Sequence, residues 1–320
     1  MKARLIINPI SGTQNKDGLE DYVRQELAPL NWDIEAMMTK AHGDATRFAR
    51  EAVELGYDAV LAAGGDGTIN EVASTLCGSR TALGIIPCGS GNGLARHLGI
   101  PIDIREGVKN ILKEKAHPID YATVNNKKFF CTFGVGFDAA VSAAFAQKPK
   151  RGKLTYIQST FETYAKFSPE HYTIRANGQV ITEKAFLIAV CNASQYGNNA
   201  YIAPQATIDD GLLDVTIIHA GNPLATALVG FDILAGNIEK NFQVHTFRCR
   251  SLEIQRTKEG CVHLDGEPME LGKKLEIECH QGKLWVFSPM ELPKFTPFLT
   301  PAQAMVSDFR IAVNKLFKKH

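Results

Sequence analysis

"AVLAAGGDGTINEVASTL" (59–76) sets an apolar run, Ala59 to Ala63, directly against two glycines, an aspartate, a third glycine and a threonine. The run has the length and composition of a buried strand, and 68–76 has the spacing of a helix. Between them lies a backbone almost bare of side chains. Glycines let main-chain N–H groups approach a phosphate closely, and the helix start that follows favours negative charge. Asp66, between Gly65 and Gly67, cannot be placed cheaply in a core. It has two readings: a cap on the helix that begins near Thr68, or a carboxylate acting on Mg²⁺ and, through it, on phosphates.

The same design recurs on either side. "ARLIIN" (3–8) reads as a strand and runs into "NPISG" (8–12); "LGIIP" (83–87) runs into "PCGSGNG" (87–93). Helical patterns fill the intervals at 18–27, 42–57 and 92–99, with Asp44 expected as an N-cap and Gly56 as a stop. Strands separated by helices imply a largely parallel sheet, with these loops at its carboxyl edge, where such sheets bind ligands. One glycine-rich loop is weak evidence, because tight turns use the same residues. Three on one edge are harder to explain as turns. Neither G-x-x-x-x-G-K-[ST] nor G-x-G-x-x-G is present, which removes the ordinary P-loop and Rossmann readings.

From about residue 117 the texture turns β-rich, with Asn-Asn, Asn-Gly and Gln-Gly expected at turns and helices near 138–167 and 223–238. This half reads as an antiparallel sandwich or barrel. The expected division is 1–116 and 117–289, with 290–320 returning to the first domain. "ATIDDGLLDV" (206–215) and "HLDGEPME" (263–270) each put carboxylates in a turn beside a strand. Asx turns account for either one alone. Glu267, directly after Asp265-Gly266, stands where a base for a hydroxyl proton could project.

The 320 residues suffice for two domains, and 45% hydrophobic and 22% charged residues are ordinary for a globular chain. A net charge of +1 gives no general attraction to nucleic acid. Seven scattered cysteines, never spaced C-x-x-C, read as reduced thiols of a cytoplasmic protein. No signal peptide is legible, and the apolar stretch 223–238 reads as a packed helix. Two segments offer contact with a membrane's inner face: the basic cluster "QKPKRGK" (147–153) and the amphipathic stretch 302–319.

"GGDGTINEV", with "NPISG" before it and "PCGSGNGLARHLGIP", "DDGLLDV" and "LDGEP" after it in order, resembles the diacylglycerol kinase catalytic-domain family. The likeness is greatest to its soluble bacterial lipid kinases, and it runs over about residues 1–295. The resemblance implies an NAD-kinase-like α/β domain joined to a C-terminal β-sandwich domain, with ATP in the cleft between them. It implies ATP and Mg²⁺ as cofactors and a lipid hydroxyl as acceptor, diacylglycerol or a related glycerolipid first. Around ATP it places Asn8, Pro9, Ser11, Gly12, Thr39, Gly65, Asp66, Gly67, Thr68, Asn70, Glu71 and Ser90. Glu267 matches the family's general base, Asp66 and Thr68 handle phosphates and metal, and Thr207, Asp210 and Leu212 match a structural Mg²⁺ site. No cationic finger is legible, and a homodimer is left open. Gly93 stands where many diacylglycerol kinases carry aspartate, and sphingosine kinases carry a small residue there. The alternatives are therefore a long-chain-base kinase and, sharing the GGDGT loop, an NAD-kinase-like enzyme.

Overall fold

The structure, a computed structural model, describes residues 1–12, 16–148, 159–160, 162–164, 166–197 and 200–290. Residues 149–153 of the basic cluster, the returning segment 291–320 and the amphipathic stretch 302–319 lie outside the described residues. The chain forms two compact units.

The first unit comprises the described residues of Met1–Tyr121, Ile208–Gly211 and His280–Pro293. Its sheet is parallel, with β1 (Lys2–Ile7) between β2 (Asp33–Met38) and β3 (Ala59–Gly64), and β4 (Ala82–Pro87) on the far side of β3. β3 and β4 are continuous apolar runs, buried at every position, because both faces are covered. Among the described residues β2 pairs only with β1, and its mixed burial, with charged Asp33 and Glu35 exposed, suits an edge. Helices α1 (Leu19–Glu26), α2 (Asp44–Glu54), α3 (Asp66–Leu76), α4 (Gly93–His97) and α5 (Ile104–Lys113) alternate with these strands. Leu19, Val23, Val108 and Ile111 close one face of the core over Leu5, Leu61 and Ile86.

Two local expectations are corrected here. Asp44 does not cap α2; Gly43 holds that position in a left-handed conformation. The Asp44 carboxylate instead accepts from the N–H groups of Lys40 and Ala41, tying down the preceding loop. α3 begins at Asp66 rather than near Thr68.

The second unit holds Ala122–Thr207 and Leu212–Cys279. Its strands are antiparallel. β9 (Gln179–Cys191) is the hub, pairing with β7 (Thr132–Gly136), β8 (Glu170–Ala176) and β10 (Leu213–His219). β11 (Val244–Cys249) extends the ladder from β10, and β12 (Ser251–Arg256) lies between β8 and the first half of β15 (Lys274–Phe287). β13 (Gly260–Leu264) pairs with β7 and with β14 (Glu267–Leu271). Phe129, Phe133, Tyr172, Ile188 and Ile254 fill the core. β5 (Ala116–Val124) and β6 (Lys127–Phe129) turn at Asn125-Asn126, and β8 and β9 at Asn177-Gly178, with positive φ as a two-residue hairpin requires. The expected Gln281-Gly282 turn is not one: it lies inside β15, with Gly282 at φ 62 and its N–H donated to Asp120.

Of the remaining helices, α6 (Phe137–Ala146) follows β7, and α7 (Pro223–Ala235) follows β10. No helix among the described residues is long and apolar enough to cross a membrane. The seven cysteines form no disulfide.

Candidate active site

Three neighbouring parallel strands end at one edge, so the loops after β1, β3 and β4 leave from the same side. They come together at van der Waals distance. A Cβ on Gly12 would stand 1.6 Å from the Cys88 carbonyl oxygen, and one on Gly89 would stand 2.8 Å from the Gly65 Cα. One on Gly91 would meet the Asp66 carboxylate at 2.6 Å. Glycine is required here because backbone lies against backbone.

Side-chain bonds then lock the three loops. Asn8 Nδ2 donates to Thr68 Oγ1 at 2.9 Å, joining the first loop to α3, and Ser11 Oγ donates to the Asn8 carbonyl. Thr39 is buried beside them, its N–H on the Ile7 carbonyl. Asp66 takes a role that neither reading of the sequence contained. Its two carboxylate oxygens accept from the backbone N–H groups of Asn92, at 2.9 Å, and Gly93, at 2.7 Å. It thus satisfies the start of α4 on the third loop, while α3 has no side-chain cap of its own. Asn92, left-handed and buried, closes that loop through Gly89. Pro9 and Ser90 lie on these loops, Ser90 exposed, and Gly67 lies in the first turn of α3.

Asn70 and Glu71 sit farther along α3. Asn70 accepts from Ser74 Oγ. Glu71 accepts from the N–H and hydroxyl of Thr46 and faces His42, so it caps the first turn of α2 from outside. Two cations that the sequence reading passed over reach the loops: Lys16 Nζ donates to the carbonyls of Pro9 and Ser11, and Arg96 Nε to that of Gly91 at 2.8 Å. The only sequence signal for Arg96 was its place one helical turn beyond the loop.

In the second unit, Glu267 is exposed at the first position of β14, paired with Leu264 across the turn. Asp265 and Gly266 both have positive φ, 50° and 84°. The Asp265 carboxylate accepts from the N–H groups of Phe130, Cys131 and Thr132 at 2.7–3.0 Å. Burial pushes its pKa up to about 6 against the pull of those three donors. At the open end of the hairpin, Arg256 donates to the carbonyls of Gly260, Cys261, Leu271 and Gly272. The tip and the base of the hairpin that carries Glu267 are therefore both fixed.

The diacylglycerol kinase catalytic domain matches residues 2–124, and the YegS C-terminal NAD kinase beta sandwich-like domain matches residues 131–287. A probable lipid kinase, YegS-like, from Klebsiella pneumoniae (strain 342) is 35% identical over 82% of this chain and 88% of its own. The diacylglycerol kinase of Bacillus subtilis (strain 168) is 30% identical over 83% and 89%. The chain belongs to the diacylglycerol kinase catalytic-domain family of lipid kinases.

Two crystal structures from Bacillus anthracis str. Sterne share the fold. One superposes with TM-score 0.75 at 27% identity, covering 90% of this chain and 97% of its own. The other, described as a diacylglycerol kinase, superposes with TM-score 0.71 at 24% identity over 91% and 98%, and supports the fold. The expected architecture, an NAD-kinase-like α/β domain followed by a β-sandwich domain, is thus borne out, and the chain is a kinase.

The family resemblance also raised a metal. Asp210 lies in the turn Asp209–Gly211 of the first unit, while Thr207 and Leu212 fall in the second. Beneath that turn is a residue the sequence reading missed. Asp120 is fully buried, and its carboxylate accepts from the N–H groups of Gly211, at 2.6 Å, and Gly282, at 2.7 Å. Its pKa is raised by burial first, and further by the charges of Asp210 and Asp209. A cation near this turn would relieve that repulsion, and oxygen donors suit Mg²⁺. Among the described residues, no group of three or more His, Cys, Asp or Glu side chains is arranged to hold a metal.

Proposed function

We propose that this lipid kinase transfers the γ-phosphoryl group of ATP to a hydroxyl of diacylglycerol or a related glycerolipid. The observation that carries the donor half of the reading is the close approach of the loops at Gly12, Gly65 and Gly89. Loops bare of side chains leave main-chain N–H groups as the phosphate ligands. Asn8, Ser11, Thr39, Thr68 and Ser90 line this region, Lys16 and Arg96 add positive charge, and Asp66 holds the third loop in register. Pro9, Gly67, Asn70 and Glu71 belong to the same reading through the loops and helix they build.

On the acceptor side Glu267 takes the hydroxyl proton. General-base assistance of this kind contributes roughly 10²–10⁴-fold. Alignment and charge neutralisation supply most of the rest, since phosphoryl transfer asks for little covalent work from the protein. Mg²⁺, when bound, supplies charge neutralisation at the phosphates. A second Mg²⁺ held by Asp210 with the carbonyls of Thr207 and Leu212 would steady the Asp209–Gly211 turn. The substrate brings the enzyme to a membrane surface from the cytoplasm.

The test is transfer of label from γ-labelled ATP to a panel of acceptors: diacylglycerol, monoacylglycerol, a long-chain base, phosphatidylglycerol and NAD. Labelled phosphatidic acid is the expected product. Label on the long-chain base alone would favour the reading that Gly93 keeps open, and label on NAD alone would overturn the lipid assignment.

A further inference from the structure

A buried polar cluster in the second unit has no part in the reaction outlined above. His263, on β13, and Asp138, on α6, are 1% and 7% exposed, and His263 Nε2 lies 3.1 Å from Asp138 Oδ2. The same carboxylate oxygen accepts from the Tyr196 hydroxyl at 2.9 Å, and Oδ1 accepts from the Ala139 N–H at 2.8 Å. Space for the pair is built into the ladder. Gly134 is the direct partner of His263 across β7 and β13, and a Cβ there would stand 2.1 Å from Asp138 Oδ2 and 2.4 Å from His263 Nε2.

The other ring nitrogen points at the turn. Gly266 N–H donates to His263 Nδ1 over a long 3.4 Å. A main-chain N–H can only donate, so Nδ1 must be the unprotonated nitrogen, and the imidazole proton is on Nε2, facing Asp138. A carboxylate, which only accepts, enforces that tautomer. In a two-residue hairpin turn the N–H of the second turn residue has no partner within the ladder, and here the imidazole supplies one. The turn is then held from two directions: Asp265 by the three N–H groups of Phe130–Thr132, and Gly266 by His263. The next residue is Glu267.

We propose that Asp138 and His263, steadied by Tyr196, are positioning residues that fix the Asp265–Gly266 turn and so aim the Glu267 carboxylate. The inference rests on the reading of Glu267 as the base. Neither side chain needs to touch substrate or ATP. Asp138 fixes the tautomer, the tautomer leaves an acceptor for Gly266, and that bond limits the motion of the turn. Reacting groups displaced by about 1 Å can lose as much as 10²-fold in rate, so even a long hydrogen bond at this place has consequences for turnover.

The deciding variant is Asp138→Asn. Its amide can present N–H to Nε2, which moves the imidazole proton to Nδ1 and sets two donors against each other at Gly266. Three readouts follow. Ring ¹⁵N signals of His263 should change from the Nε2-protonated to the Nδ1-protonated pattern. Amide exchange at Gly266 should accelerate about tenfold. With ATP and a short-chain diacylglycerol, kcat should fall about tenfold while KM for ATP stays at the parent value. A folded Asp138→Asn protein with an unchanged His263 tautomer and unchanged Gly266 exchange would overturn the proposal.

If that variant does not fold, two substitutions at His263 decide. His263→Asn places an acceptor near the Nδ1 position, whereas His263→Gln reaches toward Asp138 and leaves Gly266 without its acceptor. The asparagine variant should retain more protection at Gly266 and more turnover than the glutamine variant; equal losses would overturn the proposal. Full turnover in Glu267→Gln would instead remove the base assignment, and the tautomer and exchange data would still decide whether the pair fixes the turn.

Discussion

The carboxylate of Asp66 accepts the N–H of Gly93 at 2.7 Å, a bond that spans 27 residues of sequence and joins the first residue of α3 to the first residue of α4. The aspartate of the GGDG stretch therefore has a structural duty besides any chemistry on phosphates. Asp66→Asn should accordingly do two things. One amide hydrogen must face a main-chain donor, Asn92 or Gly93, so stability should fall by about 1 kcal/mol, the usual loss for a cap. Turnover should collapse by more than that loss explains. Thermal melting and an ATP-dependent transfer assay, run together, separate the effects, and near-normal turnover would exclude Asp66 from the mechanism.

Gly12 and Gly18 offer a matched pair. Both have positive φ, 65° and 71°, but a side chain at Gly12 meets the Cys88 carbonyl at 1.6 Å, whereas among the described residues none is met within 4 Å at Gly18. Gly18→Ala should cost about 1–2 kcal/mol of backbone strain and leave nucleotide affinity alone. Gly12→Ala must push the first and third loops apart, and ATP affinity should drop by at least about tenfold, as 1.4 kcal/mol of lost binding would give. Calorimetric titration reads both, and equal affinities would show that the loop contact is not part of the nucleotide site.

Glu267→Gln should retain ATP affinity, because Glu267 is assigned to the acceptor. Phosphoryl transfer should fall by roughly 10²–10⁴. Loss of ATP affinity with transfer retained would invert the assignment.

His97, in the stretch after the third loop, is 4% exposed, and burial lowers its pKa from 6.5 to about 4. The unfolded chain binds a proton near pH 6.5 that the folded chain refuses until about pH 4. Stability present above pH 6.5 is therefore lost as the pH falls through that window, by about 3 kcal/mol at 1.36 kcal/mol per pKa unit. Asp265 acts in the opposite sense. Its pKa is raised to about 6, so the folded state gains on acidification from about pH 6 toward its ordinary value of 3.8. Denaturant melts of the parent and His97→Gln between pH 7 and 4 should diverge, with the variant losing less on acidification. Parallel curves would mean that His97 does not titrate as its burial requires.

Asp210→Ala addresses the turn over Asp120. Mg²⁺ should raise the melting temperature of the parent and not of the variant, and the Asp120 carboxyl should titrate lower once the neighbouring charge is gone. An equal response to Mg²⁺ in both proteins would leave Asp210 as a turn residue only.

How much of this was legible follows from where the physical signal lies. The three strand–loop–helix units were readable because each is local: an apolar run, a glycine turn and a helix pattern within about twenty residues. β2 was passed over because Asp33 and Glu35 interrupt its apolar pattern, as an edge position permits. α5 was passed over although Asp103 caps it through the N–H groups of Arg105 and Glu106. Gln281-Gly282 has the composition of a turn, yet β15 continues through it because Asp120, 162 residues away from Gly282, takes the N–H that the distortion exposes. The same limit hid the Asp138–His263 pair, whose partners are 125 residues apart. Glu267 could be picked out by its place after Asp-Gly; what holds that turn could not.

The hydrogen bonds of the Arg256 guanidinium go to main-chain carbonyls: Gly260 and Cys261 on β13, Leu271 at the end of β14 and Gly272 just after it. Such a grip is indifferent to the side chains of residues 260, 261, 271 and 272. Position 256 is the one on which the grip depends, since a lysine there brings one point charge in place of a planar fork. In redesigning the acceptor side for another lipid, Arg256 is to be kept together with His263 and Glu267.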